Sequence, residues 1–226
     1  MEGIVELVRA LRHAGWNDIQ VLLGNAPAQY GGNNASVGVY RHYINSAAFV
    51  QAVVNEIGEQ GYTGINFDFE LSGPPGIGSA ECPQLGAFLS KVKTSLTQKG
   101  LASVLVSVDT GQSGMAKTHC LNSSLADRLI SMNSYADRLG FDRSVPRDIA
   151  AVGVNRFGMG VCPVCSTSVC RKPGCVSNLT DISGRMAQAG KLGVMHLDFW
   201  AGAKQPAWAF GKEWWSAIRK WKASVG

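Results

Sequence analysis

No apolar run in this sequence approaches the roughly 18–20 residues that cross a bilayer, so no membrane span is expected. Charge of one sign is also scarce. Charged residues are 16% of the chain and the formal net charge is +5. The positive residues are scattered, with small groups at Arg171-Lys172, Arg219-Lys220 and Lys222. Short groups of this kind are ordinarily solvated surface, and a nucleic-acid face carries a stronger basic stripe. Neither nucleic acid nor membrane is expected as a partner. Glycine-rich phosphate loops of the G-x-G-x-x-G or Walker type after a strand are missing, and no cofactor is expected. No internal repeat or low-complexity segment is present. Met1-Glu2-Gly3-Ile4 runs into an amphipathic helix without the basic and apolar regions of a signal peptide.

What is present is a globular composition. The chain has 226 residues, 46% of them hydrophobic, and 27 glycines that mark many turns. This length suits a single domain over 1–226. The six cysteines are an even number. Cys162, Cys165, Cys170 and Cys175 form one run, with Cys82 and Cys120 apart from it. Three N-x-S/T triplets begin at Asn34, Asn122 and Asn178. Together they favour an oxidising, secretory setting, with any leader absent from this chain. The four-cysteine run is open to two readings. Its spacing resembles a zinc knuckle with cysteine in the histidine position, and four thiolates suit tetrahedral zinc. The triplets and the two separate cysteines favour disulfides, whose pairing the sequence does not choose.

Along the chain, helical stripes alternate with short apolar runs. Ile4, Val5, Val8 and Leu11 make a first helix that Gly15 ends. Ile19–Leu23 reads as a buried strand. Asn45 or Ser46 caps a helix with the stripe Phe49, Val50, Val53, Val54 and Ile57, which Gly61 stops. A strand over 62–70 follows, then a helix carrying Phe88, Leu89, Val92 and Leu96 and ended by Gly100. Further strands are expected at Leu101–Val108, Leu129–Met132, Val152–Val161 and Gly193–Phe199. Helices are expected at about 180–190 and around Trp214, Trp215, Ile218 and Trp221. This alternation predicts an α/β fold of parallel strands, either doubly wound or a TIM-type (β/α)8 barrel. Six strands are countable, two short of a closed barrel.

The stretch Gly64-Ile65-Asn66-Phe67-Asp68-Phe69-Glu70 argues for the barrel. It alternates strictly, and residues two apart on a strand share a face. Ile65, Phe67 and Phe69 would pack under helices. Asn66, Asp68 and Glu70 would share the other face, toward the carboxyl end where barrel sites lie. Two carboxylates placed close together tend to share a proton, and a carboxyl still protonated near neutral pH is a general acid. A plain polar layer inside the barrel is the alternative.

The stretch Thr63–Glu70 resembles the D-G-x-D-x-D-x-E signature of glycoside hydrolase family 18, the chitinases and chitobiases. Thr63 and Asn66 stand where that signature has its first two acids. Asp68 and Glu70 match. Met132-Asn133-Ser134-Tyr135 looks like a disturbed form of that family's sixth-strand motif, and Gly193-Val194-Met195 like the start of its eighth strand. By this register the chain holds strands three to eight of the family pattern, an incomplete barrel. The resemblance implies hydrolysis of chitin or of N-acetylglucosamine oligosaccharides with help from the substrate, a mechanism outside the two-carboxylate scheme. Glu70 would be the acid and base, and Asp68 would orient the substrate's acetamido group. Asn66, Tyr135 and Trp200 would contact substrate. Tyr135 needs a one-residue bulge, because strict register puts Ser134 in its place. Strict register likewise puts Leu197 where the family has a sugar-stacking tryptophan. Trp200 is three residues on, with His196 and Asp198 sharing its parity. Asp137 is open to two readings, the aspartate of the sixth-strand motif or a loop cap, and the cap is favoured. Trp208, Trp214, Trp215 and Trp221 read as packing and surface. A non-catalytic sugar-binding member of the same fold is the competing expectation.

Overall fold

The structure is a computed structural model that describes residues 13, 22–25, 41–68, 82–111, 118–122, 124–132, 138–161, 179–199 and 212–225. The chain divides into two compact units. The first holds Met1–Val108, Gly114–Ala116 and Ser123–Asp127, and the second holds Asp109–Ser113, Lys117–Asn122 and Arg128–Gly226.

In the first unit, strand β1 (Leu22–Asn25) is followed by helix α1 (Ala47–Gln60), strand β2 (Gly64–Phe67), helix α2 (Cys82–Gln98) and the start of strand β3 (Leu105–Thr110). The strands are parallel and neighbour one another in chain order, with Leu23 level with Ile65 and Ile65 level with Val106. Ser46 caps α1, its Oγ accepting from the Phe49 N–H at 3.1 Å. Gly61 ends that helix at φ 67°, and its N–H reaches the Ile57 carbonyl. Only glycine adopts this left-handed turn without strain. The same device recurs at Gly100, Gly153 and Gly193.

The core of this unit lies between its strands and helices. Val54 and Ile57 of α1, Ile65 and Phe67 of β2, and Phe88, Leu89 and Val92 of α2 are all buried. The Phe88 ring meets Phe67 edge-on at 5.1 Å and stacks with Phe49 at 6.0 Å. The helix-facing side expected for Ile65 and Phe67 is the one observed. The described part of the strand is shorter than the expected 62–70. β3 starts at Leu105 rather than Leu101, because the backbone at 101–104 is spent on the turn out of α2.

The last two residues of β3, Asp109 and Thr110, belong to the second unit. There they precede a 3-10 turn (Thr118–Leu121), strand β4 (Arg128–Ser131), helix α3 (Arg138–Val152), strand β5 (Phe157–Val161), helix α4 (Leu179–Lys191), strand β6 (Leu197–Phe199) and helix α5 (Lys212–Val225). β4, β5 and β6 are parallel and adjacent in that order. The Thr110 hydroxyl donates to the Ile130 carbonyl at 3.2 Å, beside β4.

Helix α3 is not among the expected helices. Its buried positions are Phe141, Ser144, Val145, Asp148 and Val152, so polar residues occupy two positions of the apolar pattern. Asp148 accepts from the Ser131 hydroxyl on β4 at 3.0 Å, which satisfies the buried carboxylate. Pro146 sits inside the helix but on its exposed side. Behind it, Arg185 of α4 lies over the Phe141 ring, 5.2 Å from its centroid. Gly190 lets α4 and α5 approach closely, since a Cβ there would stand 2.9 Å from a Val225 methyl. Trp221 packs at the same point, as expected for a packing tryptophan.

Six strands are described, parallel within β1–β3 and within β4–β6, six of the eight that a closed (β/α)8 barrel contains. Among the described residues, no helix is long and apolar enough to cross a membrane.

Candidate active site

The expected site residues begin on β2. Ile65 and Phe67 take the helix side of that strand, so Asn66 takes the other side. Asn66 is level with Ser107 of β3, and its Nδ2 donates to the Ser107 Oγ at 3.1 Å. That hydroxyl in turn donates to the Ile65 carbonyl at 3.4 Å. Two neutral groups therefore occupy this rung.

Asp68 follows directly after β2, at its carboxyl end. Its side chain is half-buried, and its Oδ1 is closed off from solvent. An extended chain brings Asp68 to the same side as Asn66. A carboxylate there sits where (β/α) barrels place their chemistry. Glu70, Tyr135 and Trp200 lie outside the described residues, as do Cys162, Cys165, Cys170 and Cys175. Of the triplet asparagines, Asn122 is described and exposed, while Asn34 and Asn178 lie outside.

Ser107 was not singled out from the sequence. A signal for it existed, since Val106-Ser107-Val108-Asp109 places two polar residues two apart, on one face of an apolar run. In the second unit the same logic orders the strand faces. Leu129, Ser131, Phe157 and Met159 are buried, with Ser131 bonded to helix α3. Leu197 is level with Met159 and so lies on this helix side. It cannot be the aromatic floor's stand-in on the inner side. The opposite side carries Arg128 and Ile130 on β4, Gly158 and Gly160 on β5, and His196 and Asp198 around β6.

The two titratable groups on that inner side are displaced in opposite directions. Desolvation lifts the Asp198 carboxyl above the usual carboxylate value, and the Arg128 charge opposes this less strongly. Desolvation, followed by the Arg128 charge, pushes His196 down, while a backbone hydrogen bond with Asn155 partly restores it. Burial penalises the charged form of each. Arg128 was another residue that the sequence did not flag. Among the described residues, no group of three or more His, Cys, Asp or Glu side chains is arranged to hold a metal ion.

These features define a parallel α/β barrel chain with a carboxylate at a strand's carboxyl end. No family model matches the chain, and no curated protein matches it. Solved structures do. The GH18 chitinase ChiB from the chitin utilization locus of Flavobacterium johnsoniae is 13% identical, with 92% of this chain and 76% of that one covered, at a TM-score of 0.63. The chitinase-like agglutinin RobpsCRA from Robinia pseudoacacia is 12% identical over 91% of this chain and 81% of its own, at 0.61. The spore cortex-lytic enzyme SleL of Bacillus megaterium is 20% identical over 66% of this chain, at 0.52. The chain spans 37% of the length of SleL. The protein thus has the fold of the family 18 glycoside hydrolases, in an incomplete (β/α) barrel.

Proposed function

We propose that this protein is a glycoside hydrolase that cleaves β-1,4-linked N-acetylglucosamine in chitin or its oligosaccharides. It would act as one catalytic domain over 1–226, by a retaining mechanism with help from the substrate. The observation that carries this proposal is Asp68, half-buried at the carboxyl end of β2, with the opposite face of its strand packed under α2. The likeness of fold to a chitinase supports it, as does the match of Asp68 and Glu70 to the family signature.

In this reading Glu70 delivers its proton to the glycosidic oxygen as the bond to the anomeric carbon breaks. The carbonyl oxygen of the substrate's own acetamido group attacks that carbon, giving an oxazolinium. Asp68 orients the acetamido group and balances the positive charge that develops on it. Glu70, now a carboxylate, takes a proton from the water that opens the ring, and the configuration is retained. Asn66, Tyr135 and Trp200 contact the sugar. The three N-x-S/T triplets and the even cysteine count support action outside the cell.

A second reading is a sugar-binding member without turnover. The neutral Asn66–Ser107 pair favours it, because the family signature has an acid at position 66. A chitinase-like agglutinin shares the fold. Hydrolysis of a fluorogenic N,N′-diacetylchitobioside decides between them. The hydrolase reading expects turnover that falls by about 10²-fold or more in Glu70→Gln, the usual scale of losing a general acid. A Glu70→Gln variant with ordinary turnover refutes it. A wild type that binds chito-oligosaccharide without hydrolysing it establishes the second reading.

A further inference from the structure

The first unit carries a line of aromatic rings that the proposed chemistry does not use. Helix α1 connects two parallel strands, so it starts at their carboxyl end, the end where barrel ligands bind. Just before its cap, residues 41–45 are helical, with His42 exposed and Tyr43 half-buried. The His42 ring meets Tyr43 edge-on at 5.7 Å, and Tyr43 leans on Phe49 at 4.7 Å. Phe49 stacks on Phe88, which meets Phe67 in turn. Phe67 is the last residue of β2, directly before Asp68. The rings therefore run from the strand of the candidate site out to the surface.

Ser46 fixes the outer rings. Its N–H donates to the Tyr43 carbonyl at 3.0 Å, and its Oγ accepts from the Phe49 N–H. The backbone is thus held on both sides of the cap, so little order remains to be lost when a ligand covers these rings. The edge is polar. Asn45 is exposed and, three residues from His42, shares its side of the helical turn. Its Nδ2 donates to the Arg41 carbonyl at 2.8 Å, and among the described residues nothing donates to its Oδ1. Fixed rings beside an amide acceptor suit a neutral ligand with one apolar face and donors along its edge, which describes a pyranose.

We propose that Tyr43, His42 and Asn45 form a sugar-binding platform apart from the point of cleavage, which takes one ring of an N-acetylglucosamine chain. The apolar face of the sugar covers aromatic surface, and a hydroxyl or acetamido N–H donates to the Asn45 oxygen. The ligand class rests on the function proposed above. The platform is built on the helix side of β2 and Asp68 lies toward the other side. It therefore serves chains long enough to cross the strand ends, and it favours long chains over short ones.

The test is titration calorimetry with the N-acetylglucosamine hexamer and dimer on the wild type, Tyr43→Ala, Tyr43→Phe and His42→Ala, with a melting curve for each. Tyr43→Ala should bind the hexamer about three- to ten-fold more weakly, the scale of one aromatic contact, with a smaller loss on the dimer. Tyr43→Phe keeps the ring and should bind the hexamer nearly as the wild type does. His42→Ala removes an exposed ring and leaves Tyr43 on Phe49, so it should weaken hexamer binding at an unchanged melting temperature. Unchanged hexamer affinity in Tyr43→Ala overturns the proposal, and so does an equal loss on both lengths. If Tyr43→Ala fails to fold, His42→Ala decides alone, and unchanged hexamer affinity there overturns it. Hydrolysis by the wild type separates this from the function itself. A wild type that turns over chitobioside but loses no hexamer affinity on substitution removes only the platform. A wild type that neither binds nor hydrolyses removes both.

Discussion

Replacing Lys93 with methionine should destabilise the first unit measurably, and the structure sets the scale. Lys93 rises from α2 and its Nζ donates to the carbonyls of Ala102 at 3.1 Å and Val104 at 2.8 Å. It also pairs with the Asp127 Oδ2 at 2.8 Å, and the same oxygen accepts from the Val106 N–H at 2.8 Å. One ammonium thus ties a helix, the turn after it, the start of β3 and the entry to β4. Its side chain is 17% exposed and that of Asp127 28%. Methionine keeps the packing of the stem and removes the three donors. Hydrogen bonds to a charged group are worth about 1.5–3 kcal/mol each when buried. Partial exposure lets water replace some of this, and the ion pair itself adds at most about 1 kcal/mol. The expected loss is therefore about 2–3 kcal/mol, or a fall of about 5–10 °C in melting temperature for a chain of this size. Urea unfolding followed by circular dichroism measures it. The double variant Lys93→Met with Asp127→Asn should lose less than the sum of the two single changes. A loss below about 0.5 kcal/mol, the usual range of surface changes, would show that the network is decorative.

Three further outcomes follow from the second unit and from pH. Gly158→Ala should cost about 1 kcal/mol, because its Cβ would displace the Ile130 δ-methyl in a filled core. Adding Ile130→Val should recover part of that loss, and chemical denaturation of the two variants checks both. Asp198, whose folded value is raised, should make stability fall as pH rises from the ordinary carboxylate value of 3.8 toward its folded value. Asp198→Asn should flatten that part of a plot of melting temperature against pH. His196, whose folded value is lowered, works the other way. Stability should be lost as pH falls below its ordinary 6.5, and His196→Gln should remove that slope.

Several elements were legible because they repeat at a single period. The alternation in Gly64–Glu70 predicted that Ile65 and Phe67 would pack under helices, and both are fully buried with Phe67 against Phe88. The stripe Val50, Val53, Val54 and Ile57 and its flanking Ser46 and Gly61 predicted α1 almost to the residue. Strand ends were read less well. Val152 closes a helix instead of opening a strand, since a β-branched apolar residue suits either element. Helix α3 went unread because Ser144 and Asp148 interrupt its apolar stripe, and the Ser131 partner of Asp148 is 17 residues away.

Local pattern therefore determined the class of fold, the order of its strands, and which face of β2 would be apolar. These follow from side-chain periodicity and turn chemistry, which act between near neighbours. The tertiary structure decided which polar groups meet. Asn66 and Ser107 are 41 residues apart and become partners only when the register of β2 on β3 is set. Leu197, which strict register put in the tryptophan's position, falls on the helix side because the register against β5 levels it with Met159. The displacement of Asp198 and His196 depends on burial and on the charge of Arg128. Those interactions are between strands that only folding brings together, so no spacing along the chain encodes them.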